Sequence, residues 1–286
     1  MDEYPLSGNL RHEGVVTGNA ETAPGCFRLE IRCPELARSV RPGQFVMLRC
    51  REGLDPLLSR AFSVCDVVRE GGAPVGIVVL LVVVGVGTRA LALRVVGEPI
   101  GLLGPLGRTY DLGTPDEHML LVAGGIGAAP FLLVARALRE RAPTQRVTYL
   151  VGARDADHVY LADEIAALGC EVEIATDDGS RGARGYVTEL ARPHLRAGAR
   201  VLACGPNPMF KALARVVDEV RAAGVRVPCE VSTEEGMPCG FGACAACVVP
   251  VASDAHEGGY RFAKSCIEGP VFPVEAIRWD LMRSTH

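Results

Sequence analysis

The sequence predicts an antiparallel β barrel over residues 8–112, a doubly wound α/β domain over 113–228 and a small C-terminal domain over 229–286. Three features of the chain lead there. Short Val-rich apolar runs broken by Gly and Pro fill the first third, the texture of a small barrel. After Gly113 compact apolar runs alternate with helix-like stretches, which implies a parallel sheet with helices on both faces. From Cys229 the segments are short, with six glycines and four clustered cysteines.

In the first unit, strands are expected at 45–48, 61–67 and 77–84, separated by the turn signals Arg41-Pro42-Gly43 and Glu70-Gly71-Gly72. Residues 75–86 form the longest apolar run, too short for a bilayer span, and read as one buried strand or two in tandem. The glycines and proline of 101–107 read as a rigid turn before the next domain. Beyond it, strands are expected at 118–123, 146–151, 171–175 and 200–203, and helices at 130–141, 162–168 and 208–223. There is no internal repeat and no low-complexity linker.

Composition narrows the function classes. At 286 residues, 49% hydrophobic and 22% charged, the chain is an ordinary globular one of two or three domains. A net charge of −4 supplies no basic field, so no nucleic-acid partner is expected. Residues 1–11 are polar and acidic without the marks of a secretory signal, and no membrane partner is expected; a soluble, cytoplasmic protein is predicted.

Eleven cysteines are many for such a chain. Cys26, Cys33, Cys50, Cys65, Cys170, Cys204 and Cys229 are scattered through apolar segments, where a free thiol packs as a small hydrophobe. The other four, Cys239, Cys244, Cys247 and Cys266, follow the order C-x4-C-x2-C-x18-C. Four thiolates in one short segment can wrap a metal centre, and Gly240 and Gly242 let the backbone turn around it. The first three spacings match the plant-type [2Fe–2S] pattern, while the last gap is shorter. A structural zinc site or four unrelated thiols are the alternatives, although zinc sites usually show two C-x2-C pairs and this segment has one.

Gly124, Gly125 and Gly127 lie between an expected strand and an expected helix in a G-x-G-x-x-P turn, where a phosphate can approach the backbone. The third glycine of the dinucleotide fingerprint is missing, and any tight turn of this kind shares the shape. Cys204 and Gly205 follow the 200–203 strand and open another helix, which puts Cys204 at the sheet edge where ligands of doubly wound folds bind. Asp177 and Asp178 end a strand and suit a ribose hydroxyl, or simply a solvated turn; Arg154 pulls towards a 2′-phosphate. NAD rather than NADP is the expectation.

In the barrel, Arg60, Ala61, Phe62 and Ser63 begin a strand-like run; an Arg there can neutralise a flavin diphosphate, and a Ser can reach the ring. Gly87 and Thr88 close the long apolar run and open a helix-like stretch, another place suited to a phosphate. Each of these is also ordinary barrel architecture.

Taken in order along nearly the whole chain, these motifs resemble the ferredoxin–NADP reductase superfamily. The Arg-x-aromatic-Ser motif is residues 60–63, the Gly-rich turn is 124–130, and the Cys-Gly-x-x-x-Met segment is 204–209. Glu234-x-x-Met237-x-Cys239-Gly240-x-Gly242-x-Cys244, and the run from Cys266 to Phe272, narrow the resemblance. They look like the electron-transfer subunits of the two-subunit, NAD-linked bacterial dihydroorotate dehydrogenases. That resemblance implies FAD in the barrel, NAD on the α/β domain and a [2Fe–2S] cluster in the tail. It implies flavin contacts at Arg60, Ala61, Phe62, Ser63, Leu80, Leu81, Val82, Gly87 and Thr88, and nucleotide contacts at Gly124, Gly125, Gly127, Cys204 and Gly205. It also implies an FMN-containing catalytic partner, in a heterotetramer of two copies of each, serving pyrimidine biosynthesis. Two departures stand out: Val82 where the family often has a basic residue, and Phe62 where the wider superfamily has Tyr. A reductase of the same architecture serving an oxygenase, a hydrogenase or a sulfur-reducing enzyme, a zinc-holding regulatory module and a self-sufficient diaphorase are the competing expectations.

Overall fold

The computed structural model describes residues 10–282; residues 1–9 and 283–286, including the outer ends of the first and third predicted units, lie outside the described residues. Strands β1 (Arg11–Ala23), β2 (Cys26–Arg32), β3 (Phe45–Leu48), β4 (Arg60–Glu70), β5 (Ala73–Val82) and β6 (Pro99–Leu106) close a barrel in the order β1-β2-β5-β4-β3-β6. All its neighbours pair antiparallel. Helix α1 (Pro34–Ser39) follows β2, and helix α2 (Val86–Ala92) follows β5.

Period-two alternation explains the long apolar run. Ile77, Val79 and Leu81 of β5 fill the barrel interior, while Val78 and Leu80 pack outward against the next domain. Both faces of one strand are therefore buried, and the run is a single strand that ends at Val82. The helix after it begins at Val86, ahead of Gly87 and Thr88, because the Thr88 hydroxyl caps it by accepting from the Val84 and Gly85 amides.

One expectation is overturned. Residues 101–107 are not a turn: most of them belong to β6, which pairs with β1 on one side and β3 on the other. The register shifts between Leu103 and Leu106, so Gly104 and Pro105 occupy an irregularity that a barrel strand tolerates. A Cβ on Gly104 would sit 2.9 Å from Val46, so the glycine permits strand contact there.

The second unit supplies β7 (His118–Gly124), α3 (Phe131–Arg141), β8 (Val147–Ala153), α4 (Ala162–Ala167), β9 (Glu171–Thr176), β10 (Ala183–Arg184), α5 (Val187–Ala191), β11 (Ala199–Cys204) and α6 (Asn207–Ala222). Beyond it come β12 (Cys229–Ser232), the hairpin β13 (Val248–Ala252) and β14 (Tyr260–Lys264), α7 (Ser265–Glu268) and β15 (Val271–Pro273). The large sheet runs β10-β9-β8-β7-β11-β12-β15. It is parallel as far as β12, and β15 adds an antiparallel edge. Strands on both sides of residue 229 thus share one sheet. The strand order reverses between β7 and β11, the switch point at which such sheets open a ligand crevice.

Barrel and sheet are clamped together. Asp66, 4% exposed, accepts two hydrogen bonds from Arg136 Nε at 2.9 and 2.8 Å, Arg28 pairs with Glu164 at 2.9 Å, and the buried Tyr110 hydroxyl donates to the Ala203 carbonyl at 3.0 Å. The seven scattered cysteines are all buried, as their apolar surroundings predict. No helix among the described residues is long and apolar enough to cross a membrane.

Candidate functional site

A cleft of about 620 Å³ opens where the barrel meets the switch point. Arg60, Ala61, Phe62 and Ser63 of β4 form one wall, Leu80, Leu81 and Val82 of β5 another, and Thr88 lies at its rim. Cys204, at the end of β11, closes it from the sheet side together with Ile126 and Ala129. Motifs separated by more than a hundred residues in the chain thus face one space.

The Arg60 guanidinium donates to the carbonyls of Leu58 and Ser59, at 2.8 and 3.3 Å, and lies directly over Gly87. A Cβ at Gly87 would sit 2.8 Å from Arg60 Nε, so the glycine makes room for the cation beside the start of α2. Among the described residues no carboxylate pairs with that guanidinium, which leaves its charge for an anion. Such a cradle fits a flavin diphosphate, and the apolar walls fit a flat ring.

The glycines of the nucleotide turn do not line the cleft; they shape it from behind. A Cβ on Gly124 would meet Met209 Sδ and Pro206 Cδ at 2.8 Å, and one on Gly205 would meet Met209 Cε at 2.7 Å. One on Gly127 would run into the Cys204 carbonyl. Three of the four predicted glycines are therefore needed because the β7 and β11 turns press together. Gly125 differs: its φ is +54°, and open space lies where its side chain would be. It is the position of the four at which a ligand can come close to the backbone.

Cys204 is 2% exposed, and its thiol reaches Glu234 Oε1 at 3.8 Å. Burial, and then the Glu234 carboxylate, push the Cys204 thiol well above its ordinary range. Glu234 opens onto the cleft and so contacts solvent, yet protein encloses it on its other sides; that desolvation raises its carboxyl, against the Cys204 hydrogen bond. Sequence reasoning quoted Glu234 and Met237 in a motif without giving either a place here, and missed Phe45, Ile126, Ser232 and Thr233 altogether. The apolar run Phe45–Leu48 marked a buried strand, and nothing in it singled out Phe45 for the cleft. Ile126 is placed by the β7 turn, and Ser232 and Thr233 by the end of β12, which only the sheet order brings to the cleft.

At the distal ends of β8 and β9, Arg154 donates to Asp155 at 3.1 Å and to His158, while Asp178 accepts from the Ser180 amide and hydroxyl. The Arg154 charge is thus already offset locally.

The tail cysteines form a second, adjoining centre. Cys239 neighbours Cys244, and Cys247 neighbours Cys266 in one packed cluster. Among the described residues no three His, Cys, Asp or Glu side chains converge on a single metal-ion position. Two thiol pairs are what a two-iron centre requires, with two terminal thiolates on each iron. Gly240, Gly242 and Ala245 have φ of +80°, +83° and +53°, a curl that turns backbone amides inward. Burial opposes ionisation of Cys239, but amides of Cys244, Phe241 and Ala243 aimed at its sulfur outweigh it and bring the thiol down to about 7. Burial and the neighbouring Cys247 push Cys266 up to about 12, against the Gly242 amide. These residues fit a [2Fe–2S] cluster, whose sulfurs accept such amide bonds.

A barrel whose apolar-walled cleft abuts a nucleotide-type sheet at its switch point defines a nicotinamide-linked oxidoreductase of the ferredoxin–NADP reductase fold. Comparison with known proteins agrees. Residues 121–215 match the oxidoreductase NAD-binding domain, and 234–278 match the iron–sulfur cluster binding domain of dihydroorotate dehydrogenase B. The electron transfer subunit of dihydroorotate dehydrogenase B (NAD(+)) from Desulforamulus reducens is 40% identical over 90% of this chain and 94% of its own. Its counterpart from Bacillus cereus is 34% identical over 92% and 96%. The chain belongs to this family of electron transfer subunits. Among solved structures, the NADH-dependent reduced ferredoxin-NADP oxidoreductase aligns with a TM-score of 0.76 at 29% identity, covering 93% of this chain and 90% of that one. A ferredoxin NADP+ reductase from Neisseria gonorrhoeae shares the fold at a TM-score of 0.63 and 19% identity, over 79% of this chain and all of that one.

Proposed function

We propose that this chain is the electron-transfer subunit of an NAD-linked dihydroorotate dehydrogenase, taking electrons from the FMN of a catalytic partner and delivering them to NAD⁺ in pyrimidine biosynthesis. The observation that carries it is the adjacency of two centres: a thiol-paired, amide-lined loop beside a cleft built from the Arg60 motif and Cys204. When bound, FAD supplies the hydride chemistry and the cluster supplies one-electron exchange.

The chain's own residues bind, orient and exclude water. Arg60 neutralises the diphosphate beside Gly87 and Thr88. Phe62, Ser63, Leu80, Leu81 and Val82 hold the flavin ring and its ribityl chain. Gly125 takes the nucleotide phosphates, with Gly124, Gly127 and Gly205 keeping the two turns in contact. Cys204 backs the nicotinamide, and Cys239, Cys244, Cys247 and Cys266 hold the cluster. The offset charge of Arg154 and the acidic Asp177 and Asp178 favour NAD over NADP. The functional units are 8–112 for FAD, 113–228 for NAD and 229–286 for the cluster, with β12 and β15 tying the third to the second. The assembly is a heterotetramer of two copies of each subunit in the cytoplasm. Support for that location is the biosynthetic role and the lack of a membrane-crossing helix among the described residues.

The test is dihydroorotate-dependent NAD⁺ reduction by the catalytic subunit, with and without this chain. NADH formed only when both are present supports the proposal. The 29% identity to the NADH-dependent ferredoxin-NADP oxidoreductase favours a second reading, a reductase of this architecture with another redox partner. That reading gains if the chain carries FAD and cluster yet adds nothing to the assay.

A further inference from the structure

The two centres are separated by a thin apolar partition. Phe45, Met47 and Leu106 of the barrel pack in one cluster with the buried thiols Cys247 and Cys266, and Ala61 and Met237 pack against it. Phe45, Ala61 and Met237 also line the flavin cleft. A single layer of side chains thus touches both spaces. The cluster loop is pressed onto this layer: a Cβ on Gly240 would sit 2.7 Å from Met47 Cγ and 3.1 Å from Leu106 Cδ1. Behind it, Gly107 presses on the Phe45 ring, where a Cβ would come within 2.9 Å. Cys244 of the same loop is exposed, and Phe241 is half-exposed.

We propose that Phe45 and Met237 are the positioning residues of electron passage, a dry partition that couples the flavin cleft to the Cys247/Cys266 half of the cluster and turns the Cys239/Cys244 half outward. This rests on the functional reading above. Each hydride delivered to NAD⁺ consists of two electrons and one proton, so two single electrons cross the partition per turnover and the proton comes from solvent. An apolar layer one side chain thick keeps the centres close, and keeping water from the inner thiols holds the cluster potential down.

The experiment compares wild type with Phe45→Ala, Phe45→Leu and Met237→Gln. Each is examined by visible spectrum, by potentiometric titration of the cluster's EPR signal, and by stopped-flow reduction of the cluster by NADH without partner. The alanine and glutamine variants are expected to raise the midpoint potential and slow cluster reduction about threefold or more, with Phe45→Leu near wild type because it refills the partition. Should Phe45→Ala fail to fold, Met237→Gln decides. Full flavin and cluster absorption with unshifted potential and wild-type reduction in the folded variants would overturn the proposal. A wild-type chain without flavin or cluster absorption would instead refute the functional reading itself.

Discussion

Gly127 and Gly125 stand two residues apart in the same turn, and the structure gives them opposite reasons to be glycine. A methyl group on Gly127 would meet three backbone atoms: the Cys204 carbonyl oxygen, its carbon at 2.5 Å and the Gly205 nitrogen at 2.7 Å. Ordinary carbon contacts need roughly 3.5 Å, so one of the two turns must retreat by about 1 Å. No flexible side chain can absorb that movement, which places Gly127→Ala at the upper end of overpacking costs, about 3 kcal/mol. The displaced atoms carry Cys204, so the cleft floor moves as well. Gly125→Ala meets no atom, and its cost is only that of an L-residue at φ +54°, about 1 kcal/mol. Urea unfolding of the holoprotein, followed by flavin fluorescence, is expected to rank Gly127→Ala well below Gly125→Ala. In NADH-dependent flavin reduction, Gly125→Ala should raise the KM for NADH with little loss of stability. Equal destabilisation by the two variants would refute the account of packed turns, and an unchanged KM in Gly125→Ala would refute the phosphate-side role of that residue.

Two further outcomes are expected. Cys244→Ser should reduce or abolish the [2Fe–2S] absorption and EPR signal while NADH still bleaches the FAD; normal electron delivery to the partner in that variant would contradict the path. Glu234→Gln should change the pH dependence of stability. Because surrounding protein partly desolvates the solvent-contacting Glu234 carboxyl and raises it above its ordinary 4.5, the folded chain holds its proton at pH values where the unfolded chain has released it. Wild-type stability relative to the glutamine variant should therefore be greatest below pH 4.5, fall as pH rises through the folded value, and level off above it. Melting temperatures of both proteins measured from below pH 4.5 up to about pH 8 check this, and a parallel offset across that whole range would show that Glu234 is not desolvated.

Much of the site was legible because its chemistry is local. The spacing of Cys239, Cys244 and Cys247 is that of a short loop able to wrap a metal centre, and the strand–turn–helix around Gly124 is how a chain enters a parallel sheet. The barrel was legible through its short Val-rich runs between Gly and Pro, which marked 45–48, 61–67 and 77–84 but not β1 or β2; at residues 101–107 Gly and Pro carried a turn signal stronger than the alternation of Ile100, Leu102 and Leu106. Only the paired neighbours β1 and β3 decide that this segment is a strand.

The chain by itself determined the change of texture along it, most strands and helices of the α/β unit and a cysteine segment able to ligate a cluster, since these depend on neighbours within about a turn or a loop. Tertiary structure alone decided which glycines are packing positions and which one has open space beside its backbone. It also decided that Glu234 comes to rest beside Cys204, and that Phe45 and Met237 lie between cleft and cluster. Those relations join residues far apart in the chain, and they arise only when the barrel and sheet close on each other and the tail is drawn across the cleft by β12 and β15.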